Sequence, residues 1–106
     1  MLDKLADVER RFEAAEADYQ NPAVLADPRE MQRLGKLRAE LAPVVETTRA
    51  YRKALGELSQ ARDLLADPEM AELAREEIPG LESEIADLER LLKGMLVPKD
   101  PLDEKP

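Results

Sequence analysis

Leu65-Ala66-Asp67-Pro68 repeats Leu25-Ala26-Asp27-Pro28, and this repeated segment decides the fold. An aspartate followed by proline starts a helix, because the carboxylate accepts from free backbone amides and the N–H that proline lacks would be unpaired at the first helical position. The same segment ends the helix before it, since proline disfavours a helical residue at the preceding position. The second copy therefore predicts a tight reversal between two antiparallel helices.

Apolar residues at helical spacing flank these segments and predict helices over residues 2–20, 28–66 and 68–96. In each range they recur every three or four residues and so form one stripe. Pro43 and Pro79 fall inside the second and third helices, and we expect kinks there because proline removes a hydrogen bond. The predicted fold is an all-α, antiparallel three-helix bundle over residues 1–97, with a long, kinked, coiled-coil-like helical hairpin. Within the hairpin we expect Leu41 and Leu81 to be buried.

The composition limits the chemistry that this chain can perform. Its 106 residues suffice for one domain, and they include no His and no Cys. Without imidazole or thiol the usual bases, nucleophiles and zinc ligands are missing. We therefore expect no enzymatic activity from this chain alone, and no cofactor, metal site or small-molecule substrate. No stretch has the roughly 20 apolar residues of a membrane span, and the acidic first residues do not resemble a signal peptide, so we expect a cytoplasmic protein.

Glutamates cluster after the second Asp-Pro pair, at Glu69, Glu72, Glu76 and Glu77. They could bind a metal ion or form a solvated helix face. With no His and no ligand-rich loop nearby, the solvated face is the better interpretation.

Charge is distributed unevenly along the chain. The net charge is −8, yet residues 29–53 hold seven basic and three acidic side chains. Arg49, Arg52 and Lys53 could face outward and bind RNA or an acidic protein. Alternatively they pair with acidic residues of the neighbouring helices, as most exposed charges do, at about 0.2 to 1 kcal/mol a pair.

Three segments resemble one protein family. They are the start, Met1-Leu2-Asp3-Lys4-Leu5, the middle, Leu41-Ala42-Pro43-Val44-Val45, and the end, Leu96-Val97-Pro98-Lys99-Asp100-Pro101-Leu102-Asp103-Glu104-Lys105-Pro106. Together they resemble the N-terminal helical domain of bacterial class I peptide chain release factors. The end departs from the family pattern at Val97, where leucine is usual, and at Pro106, where asparagine is usual. Its prolines predict that residues 98–106 are a linker, which the resemblance implies leads to codon-reading and catalytic domains.

The resemblance implies a role in translation termination. Family members bind the ribosome at a stop codon, and their glycine-glycine-glutamine loop positions water to hydrolyse peptidyl-tRNA. Neither this loop nor the codon-reading proline-x-threonine tripeptide occurs in the chain. The family's N-terminal domain reaches toward the stalk base of the large ribosomal subunit, where the recycling GTPase also acts. The loop at residues 21–25 and the absence of Trp resemble the branch that reads UAA and UAG.

The candidate ribosome-contacting residues follow from this arrangement. The linker would hold one end of the hairpin near the codon-reading domain, so the turn at Asp67 and Pro68 would lie about 40 Å away by helix rise. Arg49, Arg52 and Lys53 would lie between the two ends.

Two other classes of protein remain open. The helical arm of a seryl-tRNA synthetase is also a long antiparallel hairpin, but an arm that grips tRNA is expected to be more basic. A free-standing coiled-coil adaptor would fit the heptads, but it would not explain the proline-rich end.

Overall fold

The computed structural model describes residues 1–97, which fold into helices joined by short turns. They are α1 (Leu2–Asp18), α2 (Pro22–Leu25), α3 (Pro28–Leu64) and α4 (Ala71–Leu96). Residues 1–97 contain no strand, and the helices pack against each other, which confirms the predicted all-α bundle. The predicted linker at residues 98–106 lies outside the described residues.

The first repeated segment forms the helix start that its sequence predicts. Asp27 Oδ1 accepts hydrogen bonds from the backbone N–H groups of Arg29, at 3.0 Å, and Glu30, at 3.4 Å. Pro28 is the first residue of α3. The cap therefore occupies two amides that would otherwise have no partner.

The second repeated segment makes the same local bond but starts its helix later. Asp67 Oδ1 accepts from the Glu69 N–H at 3.0 Å, whereas α4 begins at Ala71 and not at residue 68 as expected. Met70 is the N-cap of α4, and the N–H groups of Met70 and Ala71 both donate to the Asp67 carbonyl oxygen. Residues 65–70 thus form a turn, which we call the tip of the hairpin.

Both internal prolines lie within continuous helices, so neither proline ends its helix. Downstream of Pro43, two threonine hydroxyls donate to carbonyls one turn back. Thr47 Oγ1 bonds to the Pro43 oxygen at 2.8 Å, and Thr48 Oγ1 bonds to the Val44 oxygen at 2.7 Å. Thr48 is fully buried, so this bond supplies the partner that its hydroxyl needs in the core.

The long helix α3 contacts each of the other helices, and α1 and α4 pack on different parts of it. Arg52 lies beside Glu9 and Arg38 beside Glu16, so α1 runs antiparallel to α3 along its first half and its centre. Tyr51 bonds to Glu89, and α4 runs antiparallel along the second half. The helices meet in one core cluster, made of Leu5, Tyr51, Ala54, Leu58, Ile85 and Leu92.

The prediction that Leu41 and Leu81 are buried is wrong, because both are only partly buried. Leu81 packs against the edge of the core cluster, and Leu41 is not among the residues that pack against it. Several of the buried positions belong to alanines, which allow two helix backbones to approach closely. These alanines are Ala15, Ala54, Ala61, Ala71 and Ala74.

Candidate macromolecular interface

Of the candidate basic residues, Arg52 is the one that the packing of α1 on α3 engages. Its Nη1 lies 2.6 Å from Glu9 Oε1. That oxygen is buried, and no N–H group points at it in hydrogen-bonding geometry, so the contact is an ion pair without a well-aligned hydrogen bond. For Arg52 the structure therefore favours pairing with a neighbouring helix.

Arg38 also contributes to the packing of α1 on α3, through contacts with two aromatic rings. Its guanidinium carbon lies 5.6 Å from the ring centre of Phe12 and 5.5 Å from that of Tyr19. Both rings belong to the segment that contains α1, so a cation from α3 stacks over them. Arg38 Nη2 is also 3.8 Å from Glu16 Oε2. Part of the basic stretch thus holds α1 in place.

Arg49 and Lys53 are the more available basic side chains. Lys53 is 80% exposed at its side chain, and its Nζ lies 3.9 Å from Glu57 Oε1 one turn along α3. Such an exposed pair contributes little. Arg49 is exposed and forms no ion pair with a carboxylate of residues 1–97. A negatively charged partner would therefore meet Arg49 and Lys53 before Arg52.

The tip carries the remaining candidates, Asp67 and Pro68, and both are exposed. Leucines that sequence patterning had not selected as a surface lie beside them. Leu64 is 36% exposed, Leu65 40% and Leu73 49%. These large apolar side chains are exposed on both sides of the tip, and we consider them a candidate contact surface. The only sequence signal for it was the leucine content on either side of the turn.

One partly buried hydrogen bond joins α3 to α4 near the core. Tyr51 Oη donates to Glu89 Oε1 at 3.1 Å, and the tyrosine is 6% exposed. Burial raises the pKa of the Tyr51 hydroxyl above its ordinary value, and the hydrogen bond to Glu89 raises the pKa further. The folded state therefore holds this proton more tightly than the unfolded state.

This bond predicts a pH-dependent stability. Its full contribution is present below the unfolded tyrosine pKa of about 10 and is lost as the pH rises through the higher folded pKa, because the unfolded chain ionises first. Tyr51→Phe should cost about 0.5 to 1.5 kcal/mol at neutral pH and should flatten the decline above pH ~10. Urea unfolding of both proteins from neutral to alkaline pH measures this. Equal declines would show that Tyr51 does not hold its proton in this way.

Comparison with known sequences identifies the class of protein to which this helical bundle belongs. Residues 8–106 match the PCRF domain, and the chain belongs to this family. Several similar relatives carry one name. The chain is 50% identical over 107 residues to peptide chain release factor 1 of Myxococcus xanthus, 44% over 105 to that of Exiguobacterium sibiricum and 43% over 105 to that of Geotalea uraniireducens.

These alignments cover 99% of this chain but 30% of each relative. The chain thus spans less than a third of the length of the proteins it matches. No solved structure matches it significantly. Within residues 1–97, none of the helices is long and apolar enough to cross a membrane.

Proposed function

We propose that this chain is the N-terminal helical domain of a peptide chain release factor that acts in translation termination in the cytoplasm. The observation that carries the proposal is identity of up to 50% over nearly the whole chain to proteins named peptide chain release factor 1. In this proposal residues 1–97 form the helical domain, and residues 98–106 link it to codon-reading and catalytic domains.

The domain would bind the ribosome and leave the chemistry to the rest of the factor. The chain contains neither the glycine-glycine-glutamine loop nor the proline-x-threonine tripeptide, so the chain alone is expected to release no peptide. The whole factor would promote hydrolysis of peptidyl-tRNA at UAA and UAG codons. These are the codons of the branch that the sequence of residues 21–25 resembles; in the structure these residues form the cap and body of α2.

The shape of the domain supports a contact at a distance. The described part measures 60 × 41 × 18 Å, and α4 alone spans about 39 Å from the tip to its last residue. A partner at the tip would meet Asp67, Pro68 and the exposed leucines. We propose that the ribosomal stalk base, its RNA and protein, is this partner, and that the recycling GTPase acts nearby. Arg49 and Lys53 would add contacts to phosphates, with Arg52 behind them.

A chimeric factor tests the function. In it, the matching region of the Myxococcus xanthus release factor is replaced by this chain. Because the two sequences share 50% identity, we expect peptide release at UAA and UAG at close to the parent's rate, and none above background at UGA. The chain alone should release no peptide at any codon. A folded chimera that releases no peptide at UAA or UAG would contradict the proposal.

A further inference from the structure

A groove runs between α3 and α4 on the side toward the tip. Its volume is about 420 Å³. Its apolar lining residues are Ala61, Leu64, Gly80 and Leu81, and we call them the floor. Each helix contributes one small residue to it, Ala61 and Gly80, and a Cβ placed at Gly80 would meet no atom within 4 Å. The small size of Ala61 and Gly80 leaves space between the larger side chains that line the groove.

Carboxylates from both helices form the rim of the groove. They are Glu57 on α3, and Glu77 and Glu84 on α4. Lys53 approaches Glu57, but only to 3.9 Å, and neither Glu77 nor Glu84 forms an ion pair with a cation of residues 1–97. In a concave site with an apolar floor, such uncompensated charges raise the local negative potential.

The spacing of these carboxylates bears on what they can bind. Within the described residues, no three acidic side chains are grouped closely enough to hold a metal ion. A ligand that satisfies the rim must therefore present several positive charges at separate points. It must also present apolar groups to the floor.

We propose that this groove binds a basic amphipathic segment of a partner protein, with apolar side chains on the floor and lysine or arginine side chains at the three glutamates. Nucleic acid does not fit, because its phosphates would face carboxylates. Association of two copies is opposed overall, because each copy carries a net charge of −8. Residues 98–106 hold three acidic and two basic side chains, so they do not match the rim. This proposal goes beyond the proposed function, because it assigns a second binding surface. Peptide binding to that surface can be measured on this chain alone.

The test uses a synthetic helical peptide of about 14 residues, roughly four turns, with leucine along one face and arginine along the other. Titrated into isotope-labelled protein, it should shift the amide resonances of Ala61, Gly80 and Leu81. The same peptide with glutamate in place of arginine should not bind. Shifts confined to other parts of the protein, or equal binding of the acidic peptide, would overturn the proposal.

Two pairs of variants make the test specific to the groove. Gly80→Leu fills the floor while improving helix propensity, and Gly94→Leu is its control, since that glycine also lies in α4 with open space around it. Glu77→Gln with Glu84→Gln removes two rim charges. Its control is Glu76→Gln with Glu82→Gln, at exposed positions on the same helix.

Each groove variant should weaken peptide binding about tenfold, equivalent to roughly 1.4 kcal/mol, and each control should leave it within about twofold. Helical circular dichroism checks that all variants fold. If a folded groove variant binds the peptide as well as its control does, the groove is not the binding site.

Discussion

Leu92→Ala is expected to lower the free energy of unfolding by about 2 to 5 kcal/mol, the usual range for a buried leucine. Leu92 is 0% exposed and belongs to the cluster in which α1, α3 and α4 meet, together with Leu5 and Tyr51. Truncation leaves a cavity that three helices would have to close together. Small domains have only about 5 to 15 kcal/mol of total stability, so the loss should be large. Urea unfolding followed by circular dichroism measures it.

The adjacent residue provides a matched control. Leu91 lies on the same helix but is 51% exposed, and Leu91→Ala should change the stability by no more than about 0.5 kcal/mol. The comparison fixes the rotation of α4 about its axis. Equal losses for the two variants would show that α4 does not face the core as described.

Arg49→Glu combined with Lys53→Glu should weaken the binding of the chimeric factor to ribosomes about tenfold at low salt, because two attractive contacts become repulsive. The defect should shrink as salt is added, since screening shortens the interaction. Arg52 is left unchanged, because reversing it would place a carboxylate beside Glu9 and disturb the packing of α1. Stop-codon choice should stay the same. Equilibrium binding at several salt concentrations measures the effect.

Arg10→Glu combined with Arg11→Glu makes the same charge change on α1. Both arginines are exposed and pair only with Asp7 among the described residues, so they matter little to folding. Binding should be affected much less in this control. If the two double variants weaken binding equally, the effect reports net charge and not a contact made by Arg49 and Lys53.

The starts of α3 and α4 show how much of the fold can be predicted from neighbouring residues alone. Asp27 and Pro28 fix the first residue of α3, because the cap involves only neighbouring atoms. Asp67 makes the equivalent bond, yet α4 starts at Ala71. The backbone at Met70 depends on how the two long helices close the hairpin, and that geometry is not contained in four residues.

Core positions show where patterning fails. The apolar stripe predicts that Leu73 is buried, but Leu73 is 49% exposed, whereas the neighbouring Ala74 is only 1% exposed. Hydropathy ranks leucine above alanine, whereas the distance between packed helices decides which of them fits. The groove was missed for a related reason. Its lining combines Ala61 of α3 with Gly80 of α4, and which residues come together there depends on the register of α3 against α4.

The charge pattern of the sequence identified the candidate interface, but it did not show which of the basic side chains are exposed. Counting basic residues identified the stretch that holds Arg49, Arg52 and Lys53. It could not tell that Arg52 lies against Glu9 while Arg49 stays exposed. Arg52 and Glu9 are distant in sequence and meet only because α1 runs antiparallel to α3.

Ribosome binding by the chimeric factor tests most directly whether this chain is the ribosome-binding helical domain of a release factor. The measurement is the Kd for ribosomes halted at a UAA codon, compared with the parent factor and with a parent that lacks the matching region. We predict that the chimera binds within about threefold of the parent, a difference of roughly 0.7 kcal/mol, and clearly more tightly than the truncated factor. A folded chimera that binds no better than the truncated factor would contradict this role.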